Sequence, residues 1–144
     1  MKQLKPEAMV LRAVTDLLSA EHIWWCRMNS GMTVLTDQRG KRRVIAGHRP
    51  GTADVLAAPR GTMSCSNGAE IPTDPIFLWI ECKSATGKQS PAQVEFQREV
   101  EAQGHLYMIA RSSDDVLAKL RELGCTSTES NPHPTLYGKL DTEF

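Results

Sequence analysis

The 144-residue sequence predicts one α/β domain, a mixed central β-sheet flanked by helices. Three observations lead there. The N-terminal segment has apolar residues at helical spacing. The run Ile76-Phe-Leu-Trp-Ile-Glu-Cys-Lys-Ser84 has apolar residues at both parities, so its strand needs cover on both faces. That strand is followed by a helix of about a dozen residues and another strand, a succession that forces a crossover and a parallel pair.

Val10, Leu11, Val14, Leu17 and Leu18 mark an amphipathic helix over residues 5–21, with Pro6 in its first turn. Glu7 lies three, four and seven residues before Val10, Leu11 and Val14, on or beside the apolar stripe. Residues 23–28 read as a strand, Asn29-Ser-Gly31 as a turn, and 33–36 with 43–46 as two short strands around Asp37-Gln-Arg-Gly-Lys41. Another strand is expected at 54–58. Residues 59–75, rich in Gly, Ser, Thr, Asn and Pro, read as an exposed loop insertion.

After the 76–84 strand, Ser90 as cap, Pro91 first and Gln93 three beyond the cap start a helix that runs to 103, with Gly104 as its stop. Residues 105–111 are β-prone. Ser112 with Asp115 opens a last helix ending at Leu123 and Gly124. The domain is therefore expected over 1–124, with 125–144 as a C-terminal tail.

Lys plus Arg and Asp plus Glu number 17 each, which argues against nucleic-acid binding by gross charge. Locally the balance differs. Between Gln38 and Ala53 stand Arg39, Lys41, Arg42, Arg43 and Arg49, with no acid among them, a stripe suited to phosphates or an ordinary solvated hairpin tip. Four dispersed cysteines form no CxxC pair, and His22, His48, His105 and His133 show no metal spacing. No nucleophile elbow or phosphate-loop motif is present. The opening residues lack the apolar core of a signal peptide, and no apolar run reaches a bilayer span, so a soluble, cytoplasmic protein is expected.

Charges on a strand covered on both faces need a purpose. Alternation puts Glu81 and Lys83 on one face, about 7 Å apart, with Cys82 on the other. Asp54, at the start of an earlier apolar strand and close after Gly51, offers a second carboxylate. Two carboxylates and a lysine suit metal-assisted phosphodiester cleavage. Each residue also has a plainer reading: Glu81 and Lys83 as an ion pair, Asp54 as a turn residue, Glu7 as a first-turn acid, Gln93 as a member of the capping box, Lys88 and Gln89 as loop residues.

Glu7, Gly51 with Asp54, Glu81 with Lys83, and Gln93 together resemble the PD-(D/E)XK nuclease superfamily and, within it, the VRR-NUC branch. Asn29-Ser-Gly31, Arg49-Pro-Gly-Thr-Ala-Asp54, Glu81-Cys-Lys-Ser and Ser90-Pro-Ala-Gln93 look like its small, stand-alone phage and bacterial members. The 27 positions from Asp54 to Glu81 exceed the usual spacing, and the tail has no counterpart.

The resemblance implies a restriction-endonuclease-like core in which Asp54, Glu81 and the backbone carbonyl of Cys82 bind Mg²⁺ or Mn²⁺, with Glu7 acting through water. Lys83 would hold the attacking water and Gln93 would orient water or phosphate. Arg39, Lys41, Arg42, Arg43, Arg49 and Lys88 would contact DNA. The implied activity is an endonuclease, structure-selective on branched DNA such as Holliday junctions and acting as a homodimer. Alternatives are a nuclease on flaps, nicks or ordinary duplex, and a non-catalytic DNA-binding module.

Overall fold

The structure is a computed structural model that describes residues 5–28 and 31–125. The turn residues Asn29 and Ser30, and the tail beyond Cys125, lie outside the described residues.

Among the described residues three helices and eight strands follow in the order α1 (Pro6–Ala20), β1 (Trp24–Arg27), β2 (Met32–Thr36), β3 (Arg42–Ala46), β4 (Val55–Ala58), β5 (Thr62–Ser64), β6 (Glu70–Pro72), β7 (Leu78–Cys82), α2 (Pro91–Ala102), β8 (Leu106–Ala110) and α3 (Ser113–Glu122). The central sheet has the order β1-β4-β7-β8. β1 with β4 and β4 with β7 are antiparallel, whereas β7 and β8 are parallel. The sheet is therefore mixed, and the crossover through α2 produces its parallel pair.

Alternation along β7 divides the core in two. Leu78, Ile80 and Cys82 join Val14 and Leu18 of α1, and Val116 and Leu120 of α3, in one apolar cluster. On the opposite face Trp79 and Tyr107 pack with Phe96 and Val100 of α2 and with Ala53. Helices thus cover the sheet on both sides, which is why β7 has no polar alternation until Glu81.

The helix starts follow their sequence signals. Ser90 accepts from the Gln93 N–H while the Gln93 side chain accepts from the Ser90 N–H, and Ser112 with Asp115 repeats the arrangement. Pro6 starts α1 without a side-chain cap.

Residues 59–75 differ from the expected loop. Thr62–Ser64 pairs with Glu70–Pro72 as a hairpin of its own. Its base is closed by Thr73, which bonds Gly61 through backbone and hydroxyl, and by the Ile76 N–H on the Pro59 carbonyl. Gly61 is buried against the end of α3, where an added Cβ would lie 2.9 Å from the Leu123 carbonyl oxygen. A composition rich in turn formers concealed three-residue strands too short to show alternation.

The four cysteines are free thiols, Cys82 and Cys125 buried and Cys26 and Cys65 half-buried. Among the described residues no helix is long and apolar enough to cross a membrane.

Candidate active site

Antiparallel pairing of β4 with β7 brings the start of one to the end of the other, so Asp54, 27 positions upstream, meets the Glu81–Lys83 segment. The meeting is a direct bond: the Cys82 N–H donates to Asp54 Oδ2 at 2.8 Å. Just beyond, the Lys83 N–H bonds the Ala110 carbonyl and extends the β7 pairing past the last strand residue.

Glu81 is 2 % exposed and sits on a central strand. Its Oε1 accepts from Lys83 Nζ at 2.9 Å and from Gln93 Nε2 at 2.6 Å. Its Oε2 is buried without a hydrogen-bond partner among the described residues. Buried carboxylate oxygens are rarely left in that state, because the lost hydration is uncompensated. Burial pushes the Glu81 carboxyl up to about 7 against the opposing bond from Lys83, and the negative charge of Asp54 adds to the rise. Burial also raises Asp54, opposed by the Cys82 N–H and the charge of Lys83. Two carboxylates that feel each other, one with an orphaned oxygen, form a pocket short of positive charge.

Gln93 serves two partners with one amide. Its oxygen accepts from the Ser90 N–H at 2.8 Å while its nitrogen holds Glu81. The capping reading and the site reading therefore describe the same side chain.

Gly51 makes this approach possible. It has φ +85°, and an added Cβ would lie 2.1 Å from the Ala92 carbonyl oxygen in the first turn of α2. The Asp54-bearing loop is thereby pressed against the helix that carries Gln93. Glu7 arrives from the start of α1: it is exposed, yet its Oε1 would stand 3.1 Å from a Cβ added at Gly87, in the turn after Lys83.

The expected site residues Glu7, Asp54, Glu81, Lys83 and Gln93 thus converge at one end of the sheet. No family model, no curated protein and no solved structure matches this chain. The residues must speak for themselves.

The expected phosphate contacts divide. Arg39, Lys41, Arg42, Arg43 and Lys88 are exposed. Arg49 is committed elsewhere, ion-paired with Glu99 and stacked over the Phe96 ring at 5.4 Å. Gln89, read as a loop residue beside Lys88, turns inward to Gln97 and the Tyr107 hydroxyl, at 3.0 and 3.2 Å. Sequence spacing gave no sign of either, because both depend on partners across the tertiary fold.

Arg111 was missed. Its guanidinium donates to the carbonyls of Ser84, Ala85 and Gly87, fastening the turn between Lys83 and α2. An arginine directly after a strand has no local signature of such a role. Cys82, by contrast, is excluded as a nucleophile: burial first, then the neighbouring carboxylates, push its thiol up to about 12.

Among the described residues no group of three or more His, Cys, Asp and Glu side chains is placed to hold a metal ion. A divalent ion here would depend on two carboxylates and backbone or water oxygens. The orphaned Glu81 Oε2 and an all-oxygen donor set fit a hard cation such as Mg²⁺ or Mn²⁺.

Proposed function

We propose that this chain is a Mg²⁺- or Mn²⁺-dependent deoxyribonuclease with a PD-(D/E)XK-type site of the VRR-NUC kind, hydrolysing phosphodiester bonds in branched DNA as a homodimer. The observation that carries the reading is Glu81: a buried carboxylate with one oxygen gripped by Lys83 and Gln93 and the other without a partner. A purely structural ion pair would gain from satisfying both oxygens.

Asp54, Glu81 and the Cys82 carbonyl would hold the ion, with Glu7 reaching it through water. When bound, such an ion acts as a Lewis acid toward water and phosphate. Lys83 would stand beside the reacting phosphate, where negative charge grows in the transition state, and hold the attacking water. Gln93 fixes the rotamer of Glu81 through its 2.6 Å bond, and Cys82 fixes Asp54 through its N–H. No side chain is needed as a covalent nucleophile.

The test is cleavage of a synthetic four-way junction in Mg²⁺ or Mn²⁺ with an EDTA control, alongside flapped, nicked and linear duplexes. The wild-type protein should cut the junction in a metal-dependent way. Glu81→Gln should reduce the rate by about a thousandfold, the scale expected for losing a group that acts on the transition state, while leaving binding nearly unchanged. Unimpaired cleavage by the variant, or cleavage indifferent to EDTA, would falsify the assignment.

A further inference from the structure

The β2–β3 hairpin leaves the body at the end of the sheet where Glu81 and Asp54 meet. β1 runs into it and β4 runs out of it, and at its root the Met28 N–H bonds the carbonyl of Asp54 itself at 2.8 Å. The hairpin forms a sheet separate from the central one. Each strand has five residues, about 17 Å of ribbon.

Register assigns its two faces. Val34 stands opposite Val44, and Thr36 opposite Arg42, on one side; Leu35 stands opposite Arg43, with Ile45 next on the same strand face, on the other. Among the residues whose side chains are described, each face therefore carries two apolar residues and one arginine. Val34, Leu35, Val44 and Ile45 are 45 to 60 % exposed. An isolated two-stranded ribbon gains little from leaving such side chains in water on both sides, so among the described residues this is an unpartnered surface.

The charges say what covers it. Arg39, Lys41, Arg42 and Arg43 are all exposed and form no ion pair among the described residues. Asp37, the only acid in the hairpin, uses its carboxylate to accept from the Arg39 and Lys41 N–H groups of the turn. Two such arms laid together would bring like charges into contact, whereas a polyanion would neutralise them. A phosphate grip alone would require only the cations. The apolar residues call for apolar cover in addition, and on a polyanion that cover is base surface, which an intact stack hides apart from its groove edges and which a branch, nick or end exposes.

We infer that the β2–β3 arm reads interruptions in the DNA stack, its cations holding flanking phosphates and Val34, Val44, Leu35 and Ile45 lying against exposed bases. This deepens the nuclease reading and rests on it for the choice of DNA. The arm would then be the source of structure preference, and the carboxylate pocket the source of cleavage.

Binding in EDTA separates the two. Fluorescence anisotropy with a labelled four-way junction, a nicked duplex and an intact duplex of matched length measures the arm without cleavage. Two double variants, Val34→Thr with Val44→Thr and Leu35→Thr with Ile45→Thr, keep strand propensity while removing apolar surface. Each should lower junction and nick affinity by roughly tenfold, the scale of losing about two buried methyl groups, and leave intact-duplex affinity unchanged. Arg42→Ala with Arg43→Ala should instead weaken all three substrates alike and reduce the salt slope by about 2.

Unchanged preference in both threonine variants would overturn the inference. So would a wild-type dimer, seen by light scattering, that the threonine changes alone convert to monomer, since the apolar faces would then belong to a second copy. A wild-type protein that prefers junctions yet never cuts them would sink the nuclease reading and leave the arm standing. A protein that cuts but binds all three substrates equally would do the reverse.

Discussion

Burial at Glu81 has a consequence for stability as well as for chemistry. In metal-free protein its carboxyl is raised from 4.5 to about 7, and Asp54 is raised as well. The folded state therefore holds protons that the unfolded chain has released. The sign follows: these groups favour folding most below their unfolded values, and that contribution falls as pH rises from about 4.5 toward 7. Glu81→Gln removes the Glu81 share. In EDTA, the melting temperature of the variant relative to wild type should climb steadily across that window. A constant offset between the two proteins would show that Glu81 does not titrate there.

Arg111 makes a separate residue-scale prediction. Lysine keeps the charge but lacks the planar fork that reaches three carbonyls. Arg111→Lys should slow cleavage by about tenfold, equivalent to about 1.4 kcal/mol, with faster hydrogen exchange at Gly87 and little change in global stability. If exchange and rate both stay at wild-type values, the guanidinium does not hold the turn in place.

At the scale of elements, the contact of Gly51 with the first turn of α2 joins two segments that each supply a site residue. Gly51→Ala combines a positive φ with a methyl 2.1 Å from the Ala92 carbonyl oxygen. A loss of about 3 kcal/mol is expected, near the upper range for a strained backbone position, and thermal unfolding measures it. Retained stability would mean that the loop can move away from the helix without cost.

The β5–β6 hairpin makes the opposite prediction. It joins the end of β4 to the start of β7, the end of the sheet away from Glu81. Replacing residues 65–69 by an Asn-Gly turn suits a two-residue hairpin. Cleavage should stay within about twofold, as expected for distant, independent sites. A large loss would tie this hairpin to the reaction.

At the scale of the whole molecule, the topology gathers charge at one end. β7 and β8 are parallel and each is followed by a helix, β7 across residues 83–90, so α2, whose Gln93 bonds Glu81, and α3 both start at the end where Glu81 lies, and Glu7 brings the start of α1 to the same place. Helix N-termini carry partial positive charge. On the proposed nuclease reading, a phosphate approaching Glu81 and Lys83 would lie near these helix starts and the exposed cations of the β2–β3 arm, which would offset the carboxylates there in a chain with no net charge.

The sequence by itself determined the three helices and every strand outside residues 59–75, the central one included. Helical spacing in α1, two capping boxes and an apolar run at both parities are local signals, each fixed by residues within one or two turns of one another. It also singled out Glu81 and Lys83, because charge at the end of a doubly covered strand conflicts with its surroundings and is therefore visible, whereas Glu7, Asp54 and Gln93 joined them through the resemblance to a nuclease motif. Only the tertiary structure decided which cations were free and which were spent. Arg49 is held by Glu99 and Phe96, 50 and 47 positions away, Arg111 fastens a turn 24 to 27 positions upstream, and residues 59–75 close into a hairpin against the end of α3. Those partners are remote in the chain, and no local pattern encodes a distance in space.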